Sequence, residues 1–272
     1  MYCGRVIVGF LSNFAHLVTL FRFEHGQFVV PARMGSSRFP GKPLLKLNGK
    51  EMIVRTLERA LLAGCFDRIV CATDSAEIEA VVTAAGFDCV MTGECATGSD
   101  RVAEAAQKLG LDLVVNLQGD EPLVEPSVLC DVTKDLSEHP DCWVTVACPL
   151  DPAEAELKTV VKVLVRDGEA IDFTRSVPPA EVGRWFQHQG IYAYSREARD
   201  EFASLPQSKM ELERSLEQMR ILGRRPIRIV QSSYPSISVD VPSDATHVEN
   251  ILLDRLLYPS FDEHPQKGNE RI

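Results

Sequence analysis

The sequence lacks several patterns that would place it in common classes of protein. None of its eight cysteines forms a C-x-x-C pair, which argues against a zinc site and indicates free thiols in a reducing cytoplasm. The most apolar stretch, residues 6–21, is interrupted by Ser12, Asn13 and His16 and is shorter than the ~20 residues of a membrane span. The net charge of -10 argues against non-specific binding to nucleic acid or anionic membrane.

The sequence also has no repeat, no low-complexity segment and no linker rich in glycine, serine or proline. We therefore predict a single domain over residues 27–258, followed by a polar tail at 259–272 that frays. Residues 1–26 are predicted to be a loosely attached, poorly ordered extension. One hypothesis is that they follow an upstream start codon chosen in error, which mass spectrometry of the native N-terminus would test.

Short β-branched runs alternate with amphipathic stretches from residue 28 to about 142. This order predicts an α/β protein with a Rossmann-like, mostly parallel sheet and helices on both faces. After residue 142 the pattern favours strands, which indicates a smaller β-rich portion. Residues 210–222 are predicted to be one helix with Leu212, Leu216 and Met219 on its apolar face. A last helix is predicted from Pro242 to Leu257.

The stretch V-V-P-A-R-M-G-S-S-R-F-P-G-K-P at residues 29–43 nearly spells the phosphate loop G-x-x-x-x-G-K-[ST]. Two features exclude that motif. Five residues, not four, separate Gly35 from Gly41, and the lysine is followed by Pro43, which has no hydroxyl for a magnesium ion. If a metal takes part, its ligands must lie elsewhere in the chain.

The same loop still suits an anion. Arg33, Arg38 and Lys42 bring three cations into ten residues, and backbone N–H groups near the glycines can approach a phosphate closely. The alternative is a solvated turn with scattered basic residues. Because ligands of parallel sheets bind at the carboxyl ends of strands, the position after the first strand favours a polyphosphate site.

Two aspartates are candidate ligands of magnesium. Asp120 follows a predicted strand in Q-G-D-E-P, and Asp240 lies between valines in V-D-V-P. Carboxylates in such positions are often paired or bound to a hard cation. A solvated acidic turn is the alternative for Asp120.

The stretch H-Q-G-I-Y-A-Y at 188–194 places His188, Gly190, Tyr192 and Tyr194 on one face of a strand by period two. A lone histidine is more often structural than a ligand. In the predicted helix, Glu211 and Gln218 are seven apart and would share a face. There, Arg214 and Glu217 are three apart and would form a surface ion pair.

Several stretches together resemble one family. They follow one another in family order over roughly residues 28–257. The matching stretches are P-A-R-x-x-S-S-R-x-P-G-K-P-L, N-G-K-x-M-I-V-R-T-L-E-R-A, A-T-D, T-G-S-D-R-V-A-E, V-N-L-Q-G-D-E-P, F-T-R-S, H-Q-G-I-Y-A-Y, L-E-Q-M-R and V-D-V-P. The resemblance is to the sugar-acid cytidylyltransferases, and within them to the 3-deoxy-manno-octulosonate (Kdo) cytidylyltransferases, or CMP-Kdo synthetases.

The resemblance implies a nucleotide-diphospho-sugar transferase fold whose β-rich portion serves dimerisation and sugar binding. It implies a cytoplasmic, homodimeric enzyme of lipopolysaccharide synthesis. That enzyme would use Mg²⁺ to transfer CMP from CTP to the anomeric hydroxyl of a 2-keto-3-deoxy sugar acid, releasing pyrophosphate. The residues implied to bind CTP are Arg33, Ser37, Arg38, Lys42, Ser99 and Arg101. Those implied to bind the sugar acid are Arg175, His188, Tyr192, Glu217 and Gln218. Asp120 and Asp240 would bind magnesium, and these two with Arg38 and Lys42 are the implied catalytic residues.

Two departures from the family pattern concern the acceptor side. Arg214, in K-M-E-L-E-R, replaces a usual acidic residue, and the stretch at 177–187 is short. They motivate the hypothesis of a different acceptor, such as an amino-Kdo, a sialic-type acid or a phosphonate. A non-catalytic nucleotide-binding module is the other alternative, against which the presence of both Asp120 and Asp240 speaks.

Overall fold

The computed structural model describes residues 26–257 except 36–38, 67 and 236. Residues 1–25 of the predicted extension and the whole predicted tail lie outside the described residues. The two predicted boundaries of the domain therefore stay predictions. In the described part of the chain, no helix combines the length and hydropathy needed to cross a membrane. The seven cysteines of that part are all free thiols.

Eleven strands and seven α-helices follow one another in the described residues. The strands are β1 (Gly26–Ala32), β2 (Lys46–Leu47), β3 (Lys50–Glu51), β4 (Ile69–Thr73), β5 (Asp88–Met91), β6 (Leu113–Leu117), β7 (Trp143–Pro149), β8 (Lys162–Arg166), β9 (Glu169–Thr174), β10 (Trp185–Ser195) and β11 (Ile227–Gln231). The α-helices are α1 (Met52–Leu62), α2 (Ala76–Ala84), α3 (Gly98–Leu109), α4 (Pro126–Glu138), α5 (Arg196–Ser204), α6 (Lys209–Arg214) and α7 (Pro242–Leu257). Short 3-10 helices span Lys42–Leu44, Pro152–Glu154, Pro179–Arg184 and Glu217–Arg220.

Nine of the strands form one sheet in the order β5-β4-β1-β6-β10-β7-β11-β9-β8. The pairs among β5, β4, β1 and β6 are parallel. Strand β10 is antiparallel to β6, β7 and β8, and β9 is antiparallel to β8 and β11. Strands β7 and β11 are parallel. The sheet is therefore mixed, and the prediction of a mostly parallel sheet holds for the first half of the chain but not for the whole sheet. One reason is the turn Asp167-Gly168, whose positive φ angles (51° and 81°) suit a tight hairpin between β8 and β9.

Helices cover both faces of the sheet, as the alternating pattern predicts. Apolar side chains of α1, α2 and α4 pack on one face with Phe28 and Val30 of β1. Those of α3 and α5 pack on the other face with Val29. Val29 points to the opposite face from Phe28 and Val30 because successive side chains of a strand alternate between the two faces of the sheet. The β-rich portion is continuous with this sheet.

The start of α3 is defined by its own side chains. The Thr97 hydroxyl accepts a hydrogen bond from the Asp100 amide, and the Asp100 carboxylate accepts one from the Thr97 amide, which forms a capping box. Gly110, with φ 68°, ends the helix in the left-handed conformation that glycine adopts without strain. This cap sets the position of Gly98 beside the carboxyl ends of β1 and β6.

The predicted single helix over 210–222 is wrong. Helix α6 ends at Arg214, Ser215 adopts φ 54°, and a 3-10 helix follows. Leu212 is 60% exposed, whereas Leu216 and Met219 are buried. A continuous helix would separate Glu211 from Arg220 by about 13 Å along its axis, yet here their side chains are bonded at 2.6 Å.

The other predictions made from this helix fail for the same reason. Glu211 and Gln218 do not share a helical face, because the chain turns between them. Arg214 forms an ion pair with Asp172 of β9, and Glu217 accepts hydrogen bonds from Ser99. The expected pair of Arg214 with Glu217 is thus replaced by two long-range contacts.

Strand β10 carries a bulge, because its register with β7 shifts between Gln189 and Tyr192. A Cβ added at Gly190 would lie 3.1 Å from the Gln118 side chain, so glycine allows the close approach. The aromatic rings of His188 and Tyr192 are still neighbours, with centroids 5.5 Å apart. The expectation that His188 and Tyr192 lie next to each other on β10 is therefore correct, although the strand is irregular between these two residues.

Candidate active site

Two adjoining clefts open where β1 and β6 end. The larger measures about 680 Å³ and the smaller about 210 Å³. They share six lining residues: Arg33, Thr97, Gly98, Gln118, Asp120 and Asp240. The position matches the general rule that parallel sheets bind ligands at the carboxyl ends of their strands.

Lys42 brings the two candidate metal ligands together. Its Nζ donates hydrogen bonds to Asp120 Oδ2 at 2.7 Å and to the Val239 carbonyl at 2.8 Å, and it lies 3.5 Å from Asp240 Oδ1. The lysine comes from the opening loop, 78 residues before Asp120 in the chain. Two carboxylates from distant segments therefore converge on one positive charge.

The backbone around Asp240 is held by the first turn of α7. The Asp244 carboxylate accepts hydrogen bonds from the amides of Asp240 and Val241, at 2.8 and 2.9 Å. The Val239 amide donates to the carbonyl of Asp120 at 2.9 Å. These bonds join the loop before α7 to the loop after β6, so that both aspartates keep one relative position. Asp244 is a contributor that the sequence analysis did not single out.

The rest of the opening loop is only partly described. Arg33 is exposed and lines both clefts. Ser37 and Arg38 lie outside the described residues, so their predicted contacts with CTP stay predictions. Gly119 allows the loop after β6 to approach β1, since a Cβ there would lie 2.8 Å from the Pro31 carbonyl oxygen.

Ser99 and Arg101 contact other protein groups rather than open space. The Arg101 guanidinium is buried and donates to Asp74 Oδ2 at 2.6 Å and to Thr92 Oγ1. Ser99 is fully buried and lines neither cleft. Arg101 borders the smaller cleft. Their predicted role at CTP stays a prediction; the contacts show that they hold the wall of the cleft.

A chain of hydrogen bonds crosses the floor of the site. Gln118 Nε2 donates to Asn116 Oδ1 at 3.1 Å, Asn116 Nδ2 donates to Ser99 Oγ at 2.9 Å, and Ser99 Oγ donates to Glu217 Oε1 at 2.8 Å. It runs from the loop after β6 to the acceptor side. Asn116 points into this chain from within a buried strand, and sequence reasoning missed it.

The five residues predicted for the sugar acid come from three separate segments of the chain. They are brought together on the wall of the larger cleft: Arg175, His188, Tyr192, Glu217 and Gln218. Three of the residues named for the nucleotide side line the smaller cleft: Arg33, Lys42 and Arg101. The two sets meet at Asp120 and Asp240, because both clefts contain these residues.

His188 is buried and uncharged. Its Nε2 lies 2.9 Å from Thr145 Oγ1, whose hydroxyl hydrogen goes to the Ile191 carbonyl at 2.7 Å. We therefore assign the imidazole hydrogen to Nε2. Burial lowers the pKa of His188 to about 3, so the ring stays neutral near pH 7.

Glu217 and Gln218 follow the broken helix. Burial raises the pKa of Glu217, and the hydrogen bonds from Ser99 oppose that rise. Gln218 Oε1 accepts a hydrogen bond from the Tyr192 hydroxyl at 3.1 Å. Gln218 Nε2 is buried and has no hydrogen-bond partner among the described residues. Such an unused donor is costly in a folded protein and suits a ligand oxygen.

Arg175 and Arg214 are linked through the backbone. Arg175 donates to the carbonyls of Lys158, Arg214 and Ser215 at 2.9–3.2 Å. The Arg214 guanidinium bonds to Asp172 and does not line either cleft. The hydrogen bond from Arg175 to residue 214 goes to the backbone carbonyl, so the departure at Arg214 does not alter the wall of the cleft.

Comparison with known proteins matches this architecture. A family model described as cytidylyltransferase covers residues 27–227. The chain therefore belongs to the cytidylyltransferase family, whose members are nucleotidyltransferases.

Its relatives are more specific. The chain is 42% identical over 234 residues to a 3-deoxy-manno-octulosonate cytidylyltransferase from Anaeromyxobacter sp. (strain Fw109-5), covering 82% of the chain and 95% of the relative. It is 40% identical over 238 residues to an 8-amino-3,8-dideoxy-manno-octulosonate cytidylyltransferase from Shewanella amazonensis (strain ATCC BAA-1098 / SB2B), covering 82% and 97%. These relatives confirm the resemblance drawn from the motifs.

Solved structures agree. CMP:2-keto-3-deoxy-manno-octonic acid synthetase complexed with CTP superposes with a TM-score of 0.79 at 35% identity, over 85% of this chain and 100% of that one. An apo UDP-glucose pyrophosphorylase superposes with a TM-score of 0.63 at 15% identity, over 85% and 99%. The second likeness concerns the fold alone, which is an α/β nucleotidyltransferase fold.

Proposed function

We propose that this protein transfers CMP from CTP to the anomeric hydroxyl of 3-deoxy-manno-octulosonate and releases pyrophosphate. One observation carries the proposal. A small cleft containing Arg33 and Lys42 opens, at Asp120 and Asp240, into a larger cleft lined by the five candidate acceptor residues. The names of the relatives and the CTP complex of the structural neighbour support both substrates.

On the nucleotide side, the residues supply positive charge. Lys42 and Arg33 neutralise phosphate oxygens, and we assign the same role to Arg38 and a hydrogen bond to Ser37. When the anomeric oxygen attacks the α-phosphorus, its hydroxyl proton passes to solvent. The bond from that phosphorus to its bridging oxygen breaks, and pyrophosphate leaves with the bonding electron pair. Catalysis consists of positioning the two substrates and stabilising the charge that develops.

Magnesium fits the carboxylate pair. Asp120 and Asp240 converge on the cation of Lys42, and magnesium is commonly held by one or two carboxylates together with substrate phosphates and water. Among the described residues, no third His, Cys, Asp or Glu completes a protein-only site. When bound there, the ion would polarise the α-phosphate and lower the pKa of the acceptor hydroxyl.

On the acceptor side, the residues orient a polyhydroxy acid. Arg175 offers positive charge to a carboxylate, Gln218 Nε2 offers an unused donor, and Glu217 accepts from hydroxyl groups. Neutral His188 stiffens the wall through Thr145. Because the Arg214 side chain does not line the cleft, its presence gives no reason to propose an acceptor other than 3-deoxy-manno-octulosonate.

One alternative acceptor has an observation in its favour. The larger cleft is lined by the carboxylates Glu121, Glu154 and Glu217, which would suit the ammonium group of the 8-amino analogue named for one relative. Transfer to that analogue is the second candidate function.

The two candidates are separated by measuring pyrophosphate release from CTP with a panel of acids. The panel contains 3-deoxy-manno-octulosonate, its 8-amino analogue, a sialic acid and a phosphonate. We expect kcat/KM to be highest for 3-deoxy-manno-octulosonate. Higher kcat/KM for the amino analogue would favour the second candidate. CTP binding without pyrophosphate release from any acid would support a non-catalytic module instead.

We also propose a cytosolic homodimer associated through the β-rich portion. Four large apolar side chains there are exposed by 37–60%: Leu157, Ile171, Met210 and Leu212. The free thiols fit a reducing compartment. Light scattering after size exclusion tests the assembly. We expect the Leu212→Glu variant to shift toward the monomer, and a monomeric wild-type protein would contradict the dimer.

A further inference from the structure

The buried guanidinium of Arg220 holds two segments of the cleft wall together. It donates to Glu211 at 2.8 and 2.6 Å and to Asp100 at 2.6 and 3.1 Å. It also stacks over the Phe202 ring at 4.1 Å. Asp100 lies 120 residues away in the chain, so the arginine joins distant parts of the fold. Forked bonds of this kind fix direction as well as distance.

Both carboxylates already cap a helix. Asp100 belongs to the capping box with Thr97 at the start of α3, and Glu211 belongs to the capping box with Ser208 at the start of α6. Arg220 therefore binds the two helix starts to each other. If one start moves, the shared guanidinium transmits the movement to the other.

The linked segments face different substrates under the proposed function. Thr97 and Gly98, at the start of α3, line both clefts. Glu217 and Gln218 precede Arg220 in the same 3-10 helix and line only the larger cleft. The arginine is thus a rigid connection between the nucleotide wall and the acceptor wall.

Stability alone is a weak reason for this arrangement. Burial acts to lower the pKa of Arg220, but the hydrogen bonds to Glu211 and Asp100 outweigh it, so that the pKa is raised and the charge persists. Well-packed apolar groups are often as stable as a buried ionic cluster, or more so. The benefit of the cluster lies in the fixed directions of its bonds.

We propose that Arg220 is a positioning residue that couples nucleotide binding at the start of α3 to the acceptor-binding geometry of Glu217 and Gln218. The proposal rests on the proposed function, because it assigns the two walls to CTP and to the sugar acid. The matched control is Arg228, which makes two bonds of 2.8 Å to Asp135 and lines neither cleft.

Hydrogen–deuterium exchange with CTP and magnesium tests the coupling without any acceptor. In the wild-type protein and in Arg228→Lys, we expect CTP to protect amides of both 96–104 and 211–221. In Arg220→Lys, which keeps the charge but loses the fork, protection at 96–104 should remain and that at 211–221 should fall by at least half. Equal protection of both segments in Arg220→Lys would overturn the coupling. Absence of protection in the wild-type protein would overturn both the coupling and CTP binding.

Steady-state kinetics adds a second readout. For Arg220→Lys we expect the KM for CTP to stay within about threefold of wild type, whereas kcat/KM for the acceptor falls about 10- to 100-fold, the loss typical of misplaced substrates. Arg228→Lys should leave both constants unchanged. If Arg220→Lys lowers only the melting temperature, or raises both KM values equally, the arginine is merely structural. If wild-type protein releases no pyrophosphate from any acid, the proposed function fails, while the exchange experiment still decides the coupling.

Discussion

The nucleotide wall and the acceptor wall of the cleft are built in different ways. The nucleotide wall consists of the ends of the parallel strands β1 and β6 and the capped start of α3. The acceptor wall is held by long side chains that bond to residues distant in the sequence, such as Arg175 and Arg220. Local patterns of sequence specify the first kind of wall. The second kind depends on polar contacts between residues far apart in the chain.

The largest expected effect concerns the junction of the two walls. Asp240→Asn should lower kcat about 100- to 1000-fold, the loss typical when one stabilising group is removed, because it removes one of the two carboxylates proposed to hold magnesium. It should leave the melting temperature unchanged. Pyrophosphate release and thermal unfolding measure the two effects. Asp135→Asn, far from both clefts, should retain kcat. Near-normal turnover by Asp240→Asn would remove this residue from the metal site.

The acceptor wall should be the more vulnerable to loss of one buried side chain. Lys162 is fully buried, and its Nζ donates to the carbonyls of Leu157, Val160 and Arg175 at 2.7–3.1 Å. Lys162→Met should lower the free energy of unfolding by about 2–4 kcal/mol, because buried acceptors lose their donor. It should also raise the KM for the acceptor more than that for CTP.

Urea unfolding and kinetics measure these effects. The exposed Lys46 serves as the control, and Lys46→Met should change neither quantity. If Lys162→Met raised the KM for CTP as much as the KM for the acceptor, the effect of this lysine would not be specific to the acceptor wall.

The acceptor wall should also give the protein part of its sensitivity to acid. The pKa of His188 is about 3 in the folded protein and ordinarily about 6.5. Between these values the unfolded state binds more protons, so stability is complete above about pH 6.5 and falls toward pH 3, by at most about 1.4 kcal/mol per unit. His188→Gln should flatten this slope in urea unfolding. An unchanged dependence of stability on pH in His188→Gln would show that His188 does not cause this sensitivity to acid.

The smallest expected effect concerns the departure from the family pattern. Arg214→Glu places an acidic residue opposite Asp172 and breaks a partly exposed ion pair. Such pairs contribute at most about 1 kcal/mol, so the KM for the acceptor should rise by no more than about fivefold while that for CTP is unchanged. Arg214→Gln should have an intermediate effect. A switch of preferred acid in the panel would instead show that Arg214 sets specificity.

The difference between the walls also explains what could be predicted from the sequence. The alternation of strands and helices before residue 142, the helices on both faces of the sheet and the span of α7 follow from local rules, and the structure shows each of them. The position of Asp120 just after β6 also follows from the pattern of an apolar strand that runs into an acidic turn. These features depend on residues only a few positions apart, or on the general geometry of parallel sheets.

The rest depends on contacts that local rules do not contain. The helix expected over 210–222 breaks at Ser215 because Arg220 folds back onto Glu211 and reaches Asp100. The antiparallel course of β10 depends on its pairing with three different strands. Asn116 reads as part of an apolar strand, and only the fold shows that it connects Gln118 to Ser99.

The position of Lys42 between Asp120 and Asp240 has a consequence for how the site is prepared. Two carboxylates side by side repel each other, and a cation between them opposes that repulsion. The Lys42 ammonium group, 2.7 Å from Asp120 and 3.5 Å from Asp240, holds the two side chains convergent in advance, so the substrates meet a preorganised centre. Little reorganisation energy then remains to be supplied during the reaction itself.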